Sequence, residues 1–206
     1  MPSLTFGPVD VAYDADVLTP RPWTLAQAAW AAELAPGPML ELGCGAGHIG
    51  LAAAAMTGSP LVQVDRDEAA CRWAARNASA AGLDGRVEQR HGDLADVLGA
   101  DERFAIVIAD PPYIPAAAVD RFPEDPRWAI DGGADGLELV RRFVTVAAAH
   151  LAPGGSIVLQ VGGEHQVDLV EEWLTGPGAP RVSVRERRAF GADRALALLQ
   201  HHPARD

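Results

Sequence analysis

From Trp23 to Leu34 the apolar residues recur at helical spacing, and the run stops at Pro36-Gly37-Pro38. The short apolar segment Met39-Leu40-Glu41-Leu42 then meets the glycine cluster Gly43-Cys44-Gly45-Ala46-Gly47, which opens an alanine-rich helical stretch up to Met56. This pattern predicts strand, tight turn, helix. A second strand is predicted from Pro60 to Val64, ending in Asp65, with a helix from Asp67 to Ala81 that stops at Gly82 and Gly85. Arg86 to Arg90 reads as a third strand, and Phe104 to Ala109, apolar throughout, as a fourth that is buried on both faces. A long irregular stretch rich in proline and glycine covers 111–135. An amphipathic helix follows from Leu137 to Leu151, closed by Pro153-Gly154-Gly155, then a fifth strand from Ser156 to Val161 and a helix from His165 to Leu174. Arg181 to Arg187 alternates and Ala195 to Leu199 is apolar, so two more strands close the chain around Gly191. Strands alternating with helices predict an α/β chain with a doubly wound parallel sheet and right-handed crossovers. The last two strands, joined without a helix, can only be antiparallel. With no internal repeat and no linker, one domain is expected over 1–206, with a helical lead-in at 1–37 and a doubly wound core at 38–206.

Charge narrows the chemistry. The 206 residues include 28 acids against 17 bases, for a net charge of −11, and every base is arginine. Schiff-base lysines and a phosphate-loop lysine are therefore excluded. Such acidity also disfavours a protein that grips nucleic acid by bulk electrostatics. Cys44 and Cys71 form neither a CxxC pair nor a disulfide framework, which suggests a reduced, cytoplasmic setting. The first residues lack the features of a signal peptide, and no segment approaches the ~20 apolar residues of a membrane span, so no membrane partner is expected. The six histidines show no metal-ligand spacing with acids or cysteines, so no metal is expected.

In a doubly wound sheet, ligands bind beyond the carboxyl ends of the strands. The turn Glu41-Leu-Gly43-Cys-Gly45-Ala-Gly47 allows close approach to its backbone, and the helix after it offers free N–H groups. Gly45 to Gly50 also satisfies GxGxxG, so an NAD(P)-dependent oxidoreductase has to be weighed. Glu41 just before the glycines, with further acids at the next strand tips, suits a cationic sulfonium and amine, whereas a pyrophosphate there would be repelled. This points to S-adenosyl-L-methionine. Asp65 is placed to accept from ribose hydroxyls and Asp93 from an adenine amino group, although a turn or helix cap is the plain alternative for each, as for Asp67.

Asp110-Pro111-Pro112-Tyr113 stands at the end of the fourth core strand. The two prolines freeze the backbone, holding the Asp110 carboxylate and the Pro111 carbonyl as two acceptors for the hydrogens of a planar –NH2 group. Accepting both frees a nitrogen lone pair that is otherwise delocalised, and Tyr113 can cover the flat face. Methyl transfer then needs alignment and electrostatics rather than a strong base.

The glycine turn with a DPPY element resembles the class I S-adenosylmethionine-dependent methyltransferases that act on exocyclic or amide nitrogens. Pro20-Arg-Pro-Trp-Thr24, Pro126-Arg127, Asp131-Gly-Gly-Ala-Asp135-Gly-Leu137, Arg141-Arg142 and Leu151-Ala-Pro-Gly-Gly155 are similar to elements of the HemK-type protein-glutamine N5-methyltransferases that modify release factors. The resemblance covers about residues 17–166. It implies a seven-stranded Rossmann-like sheet of order 3-2-1-4-5-7-6 with the last strand antiparallel. It further implies that Glu41, Gly43, Gly45 and Gly47 line the methionine end of the cofactor, that Asp65 holds the ribose, and that Asp93 and Leu94 hold the adenine. Asp110, Pro111, Pro112 and Tyr113 would hold the acceptor, with Thr24 near the cofactor entrance and S-adenosyl-L-homocysteine as product.

Three departures bear on the acceptor. The family's glutamine enzymes carry Asn where this chain has Asp110, and an ionised Asp only accepts hydrogen bonds. Gln160 replaces a usual Glu, and only about 35 residues precede the first core strand, so the family's N-terminal substrate-gripping helical domain is expected to be absent. A small adaptor subunit is its candidate replacement. The leading expectation is methylation of a protein glutamine, as on a release factor. An RNA or DNA base amine is the alternative, favoured by Asp110 and opposed by the acidity and by DGGADGL. Five arginines between Arg181 and Arg194 are read as the solvated face of a strand pair before being read as a basic strip.

Overall fold

The computed structural model describes residues 2–34 and 36–202; Met1, Ala35 and 203–206, which fall within the expected single domain, lie outside the described residues. The chain opens on a hairpin, β1 (Ser3–Phe6) and β2 (Val9–Ala12), whose two-residue turn places Gly7 at φ +57°. The lead-in is thus only partly helical: a 3-10 turn over Pro22–Thr24 runs into α1 (Leu25–Glu33). Four-residue strands offer too little alternation to stand out in sequence, which is why the hairpin escaped the periodicity.

The core follows the expected order. β3 (Met39–Leu42), α2 (His48–Thr57), β4 (Leu61–Asp65), α3 (Glu68–Ala80), β5 (Val87–His91) and β6 (Phe104–Ala109) alternate strand and helix. After α4 (Arg127–Ile130) and α5 (Glu138–Ala149) come β7 (Leu151–Val161), α6 (Glu164–Leu174), β8 (Val182–Ala189) and β9 (Ala195–His201). The seven-stranded sheet runs β5-β4-β3-β6-β7-β9-β8, parallel as far as β7 and antiparallel in β9 against β7 and β8. With the hairpin set aside, this is the order 3-2-1-4-5-7-6.

Strand period two sorts the side chains onto two faces. Leu40, Leu42, Val107, Ala109, Ile157 and Leu159 pack beneath α5 and α6, while Met39, Leu61, Ile106, Ile108 and Val158 pack beneath α1, α2 and the hairpin. β7 begins at Leu151, earlier than expected, because Leu151 pairs with Phe104 across a register shift. The irregular 111–135 stretch carries a 3-10 helix (Ala116–Arg121) and the single-turn α4, and it folds back on the tip of β6 through a bridge between Ile114 and Asp131.

Candidate active site

A cleft opens over the carboxyl ends of β3, β4, β5 and β6. Of the residues expected at a site, Thr24, Gly43, Gly45, Asp65, Asp93, Leu94, Asp110 and Pro112 line it; Glu41, Gly47, Pro111 and Tyr113 do not.

Gly43 and Gly45 adopt φ of +66° and +53°, which residues with a Cβ rarely hold. A Cβ on Gly43 would also lie 3.0 Å from the Phe143 ring, whereas one on Gly45 would enter open space. At Gly45 the backbone angle alone calls for glycine. Gly47, also left-handed at φ +81°, serves packing besides: a Cβ there would lie 3.0 Å from the Ala74 Cβ on α3.

Glu41 departs from its expected role. Only 2% exposed, it points under the glycine turn rather than into the cleft. The Gly50 N–H donates to it at 3.1 Å and the Gln63 amide at 2.6 Å. Gln63 faces Glu41 across the β3–β4 register and also donates to the Gly47 carbonyl at 3.1 Å. Burial raises the Glu41 pKa to about 7. Glu41 therefore braces the turn and the first turn of α2. A Cβ on Gly50 would run into its carboxylate, so this glycine answers to packing.

Asp65 is 8% exposed, and burial raises its pKa. One of its oxygens accepts from the Gly45 N–H and the other from the Asp67 N–H, both at 2.9 Å, so the carboxylate is held rigidly at the cleft wall. Asp67 is a helix cap, accepting from the Ala69 and Ala70 N–H groups at the start of α3. Asp93 accepts from the Ala95 N–H at 2.9 Å and from Arg142 at 2.5 Å through the same oxygen, leaving the other without a partner among the described residues. Thr24 donates its hydroxyl to the Arg21 carbonyl at 2.8 Å and meets His48 Nε2 at 3.2 Å. His48, also in the cleft wall, stays neutral because burial pulls its pKa down to about 3.

Asp110 projects into the cleft with no hydrogen-bond partner among the described residues, and burial lifts its pKa to about 7. The DGGADGL segment cradles the tetrapeptide that Asp110 begins. Added Cβ atoms would come within 2.8 Å of the Pro112 carbonyl at Gly132 and within 2.6 Å of the Tyr113 carbonyl at Gly136. Gln166 Nε2 donates to the Tyr113 carbonyl at 2.9 Å. The Tyr113 ring turns away from the cleft toward Gly162, and its burial raises the phenol pKa. Its expected place over the flat face of an acceptor is thus not the one it occupies.

Sequence reasoning missed His48, Arg142, Phe143 and Trp128 in the cleft wall, and Asn77 behind it. Asn77 ties the hairpin to the glycine turn: it accepts from the Ala12 N–H and donates to the carbonyls of Ala12 and Ala46, all at 2.9 Å. Its being the chain's one asparagine, in the middle of a helix, was the available signal. On the far edge, Arg187 pairs with Asp168 and Glu171 and Arg188 with Glu33 and Glu186, so the arginines of β8 are largely neutralised.

Comparisons with known proteins agree with this geometry. The sequence profile of the Methyltransferase small domain matches residues 26–122. A release factor glutamine methyltransferase of Rhodospirillum rubrum is 39% identical over 166 residues, 76% of this chain and 50% of that protein. A ribosomal protein uL3 glutamine methyltransferase of Bradyrhizobium diazoefficiens is 38% identical over 136 residues, 63% of this chain and 42% of that one. The chain spans about half the length of the curated relatives it matches. In fold it is similar to a ribosomal protein L11 methylase of Lactobacillus delbrueckii subsp. bulgaricus, with a TM-score of 0.66 at 18% identity, covering 92% of this chain and 84% of that one. It is likewise similar to a methyltransferase of Pyrococcus furiosus, with a TM-score of 0.68 at 19% identity over 93% and 88%. With its sheet order, glycine turn and DPPY tip in one cleft, the chain has the fold of the class I methyltransferases and is similar to the HemK-like glutamine methyltransferases over about three quarters of its length.

Proposed function

We propose that the protein is an S-adenosylmethionine-dependent N-methyltransferase whose acceptor is a glutamine side-chain amide on a protein. The observation that carries this reading is the position of Asp110 and Pro112 in the same cleft as Gly43, Gly45 and Asp65. The residues fit the cofactor. The glycine turn is open above Gly45, Asp65 is held at the wall, and Asp93 keeps one oxygen without a partner among the described residues. Gly43 and Gly45 would pass the methionine end, Asp65 would hold the ribose hydroxyls, and Asp93 with Leu94 would hold the adenine. When bound, S-adenosylmethionine supplies an electrophilic methyl group on a sulfonium and leaves as S-adenosylhomocysteine.

The Asp in place of Asn becomes intelligible from its surroundings. With its pKa near 7, Asp110 is in good part protonated at neutral pH. A protonated carboxyl presents one O–H donor and one carbonyl acceptor, the pair an asparagine amide offers. It can donate to the glutamine carbonyl while its other oxygen accepts from the –NH2. On an aromatic amine, which has no such carbonyl, the ionised acceptor-only form is the better clamp. The alternative of a base amine therefore makes the opposite prediction for pH.

The test uses labelled S-adenosylmethionine with a purified release factor, ribosomal protein uL3 and a structured RNA transcript as separate acceptors. Labelling of a protein glutamine is expected, with turnover falling as the pH rises through about 7, and with Asp110→Asn retaining turnover and flattening that fall. Labelling of the RNA alone, or turnover that rises over the same range, would overturn the glutamine reading.

A further inference from the structure

Among the described residues three buried side-chain polar atoms have no hydrogen-bond partner, Trp23 Nε1, Gln27 Oε1 and His48 Nδ1. They belong to residues around Thr24 at the cleft: Trp23 precedes it, His48 meets its hydroxyl, and Gln27 follows a helical turn later. Of the three, Gln27 reaches the strand that leads to Asp110. It sits on the inner face of α1 between two alanines, 0% exposed, and its Nε2 donates to the carbonyls of Ala109 at 3.0 Å and Val158 at 2.9 Å. Carbonyl oxygens only accept, so the amide nitrogen must face them and Oε1 is turned away into the interior. A buried acceptor left unmet costs stability, a cost that an apolar side chain of the same length would not incur. The amide is there for what its nitrogen holds.

What it holds is the last peptide of the sheet before the acceptor clamp. The ladders that β6 makes with β3 and with β7 both end at Ala109. Beyond it, Pro111 and Pro112 have no N–H with which to extend either ladder. The Ala109 carbonyl and the Asp110 nitrogen share one planar peptide unit, so a hydrogen bond that fixes the carbonyl also fixes the plane from which the Asp110 Cα departs. Because the same Nε2 binds Val158 on β7, that plane is tied to two strands and to α1 at once. After Asp110, the Pro112 and Tyr113 carbonyls are cradled by Gly132, Gly136 and Gln166. Asp110 is thus oriented by the backbone on either side of it.

We propose that Gln27 is a positioning residue for methyl transfer: its side-chain amide sets the Ala109–Asp110 peptide plane and so aims the Asp110 carboxyl at the acceptor nitrogen. This role rests on the proposed methyl transfer at Asp110 and is the same for a glutamine amide and a base amine.

The test compares the intact chain with three variants. Gln27→Met keeps the length of the side chain and removes both donors, Gln27→Asn keeps the amide and draws it back by one methylene, and Phe104→Leu loosens the opposite end of β6. Turnover is measured with labelled S-adenosylmethionine on whichever of release factor, uL3 and RNA transcript the parent chain labels, well below the melting temperature of each variant. Affinity for S-adenosylhomocysteine is measured in parallel by titration calorimetry. Both Gln27 variants are expected to lower kcat by about ten- to a hundredfold, the scale of a displacement of up to an ångström at a reacting centre, with the KM for the acceptor and the affinity for S-adenosylhomocysteine close to the parent values. Phe104→Leu is expected to lower the melting temperature with kcat unchanged, which separates aim from mere loosening of the strand. Parent kcat in both Gln27 variants, an equal loss of kcat in Phe104→Leu, or affinity for S-adenosylhomocysteine that falls along with kcat would each overturn the positioning role and leave methyl transfer at Asp110 standing. A parent chain that labels none of these acceptors would overturn the methyl-transfer reading and the positioning role with it.

Discussion

At the scale of single residues, the most informative side chains are buried acids whose pKa values burial has raised. Glu41, at about 7, has an unfolded value near 4.3. The folded state therefore prefers the protonated form: this contribution to stability is fully present below about pH 4.3 and is lost as the pH climbs through about 7. For Glu41 it amounts to roughly 3–4 kcal/mol. Asp110 and Asp65 are raised as well and act in the same direction. Denaturant melts of the unliganded protein should show stability declining from pH 5 to pH 8, with a shallower decline in Glu41→Gln. A steeper decline in that variant would contradict the assignment. Glu41→Ala strips the Gly50 N–H and the Gln63 amide of their acceptor in the interior and should cost about 2–4 kcal/mol at any pH.

At the scale of elements, the tetrapeptide after β6 is held by its neighbours rather than by itself. The prolines restrict Asp110-Pro-Pro-Tyr113, but the DGGADGL segment and Gln166 decide where its carbonyls lie. Gly132→Ala forces a Cβ against the Pro112 carbonyl and so should displace Asp110. Turnover is expected to fall by a factor of 10² or more, the scale of an ångström-level misplacement at a reacting centre. Affinity for S-adenosylhomocysteine should change little, because the glycine turn and Asp65 stand on other strands. Equal losses in both would show that the segment supports the whole cleft. The hairpin is held by Asn77 and by Phe6, whose ring meets His48 edge-on with centroids 4.9 Å apart. Asn77→Ala should cost about 2–3 kcal/mol and, in hydrogen exchange, deprotect residues 9–12 ahead of β3 and β6.

At the scale of the molecule, an acidic chain with a seven-stranded sheet and flanking helices gathers its chemistry at one end of that sheet. Saturating S-adenosylhomocysteine, at a hundred times its dissociation constant, should stabilise the fold by about 2.7 kcal/mol and raise Tm by roughly 5–10 °C, while NADH should leave it unmoved. The opposite pattern would revive the oxidoreductase reading of Gly45 to Gly50. Much of this was legible in the sequence. Buried parallel strands read as unbroken apolar runs, glycines and prolines punctuate them, and the acids at the strand tips follow from the rule that sites form at carboxyl ends. Those features are local, so the sequence by itself determined the order of the core elements, the cleft's position and the place of Asp65, Asp93 and Asp110 in its wall. What only the tertiary structure decided depends on side chains meeting across long separations. Glu41 turns under the sheet because register sets it opposite Gln63, 22 residues away, and places Gly50 above it. Tyr113 packs against Gly162, Asn77 reaches Ala12, and Arg21 joins Asp125, pairs that periodicity cannot register. Position along a strand tells which end a residue serves; which face it serves, and whether it touches ligand or holds what does, is settled by packing against partners elsewhere in the chain.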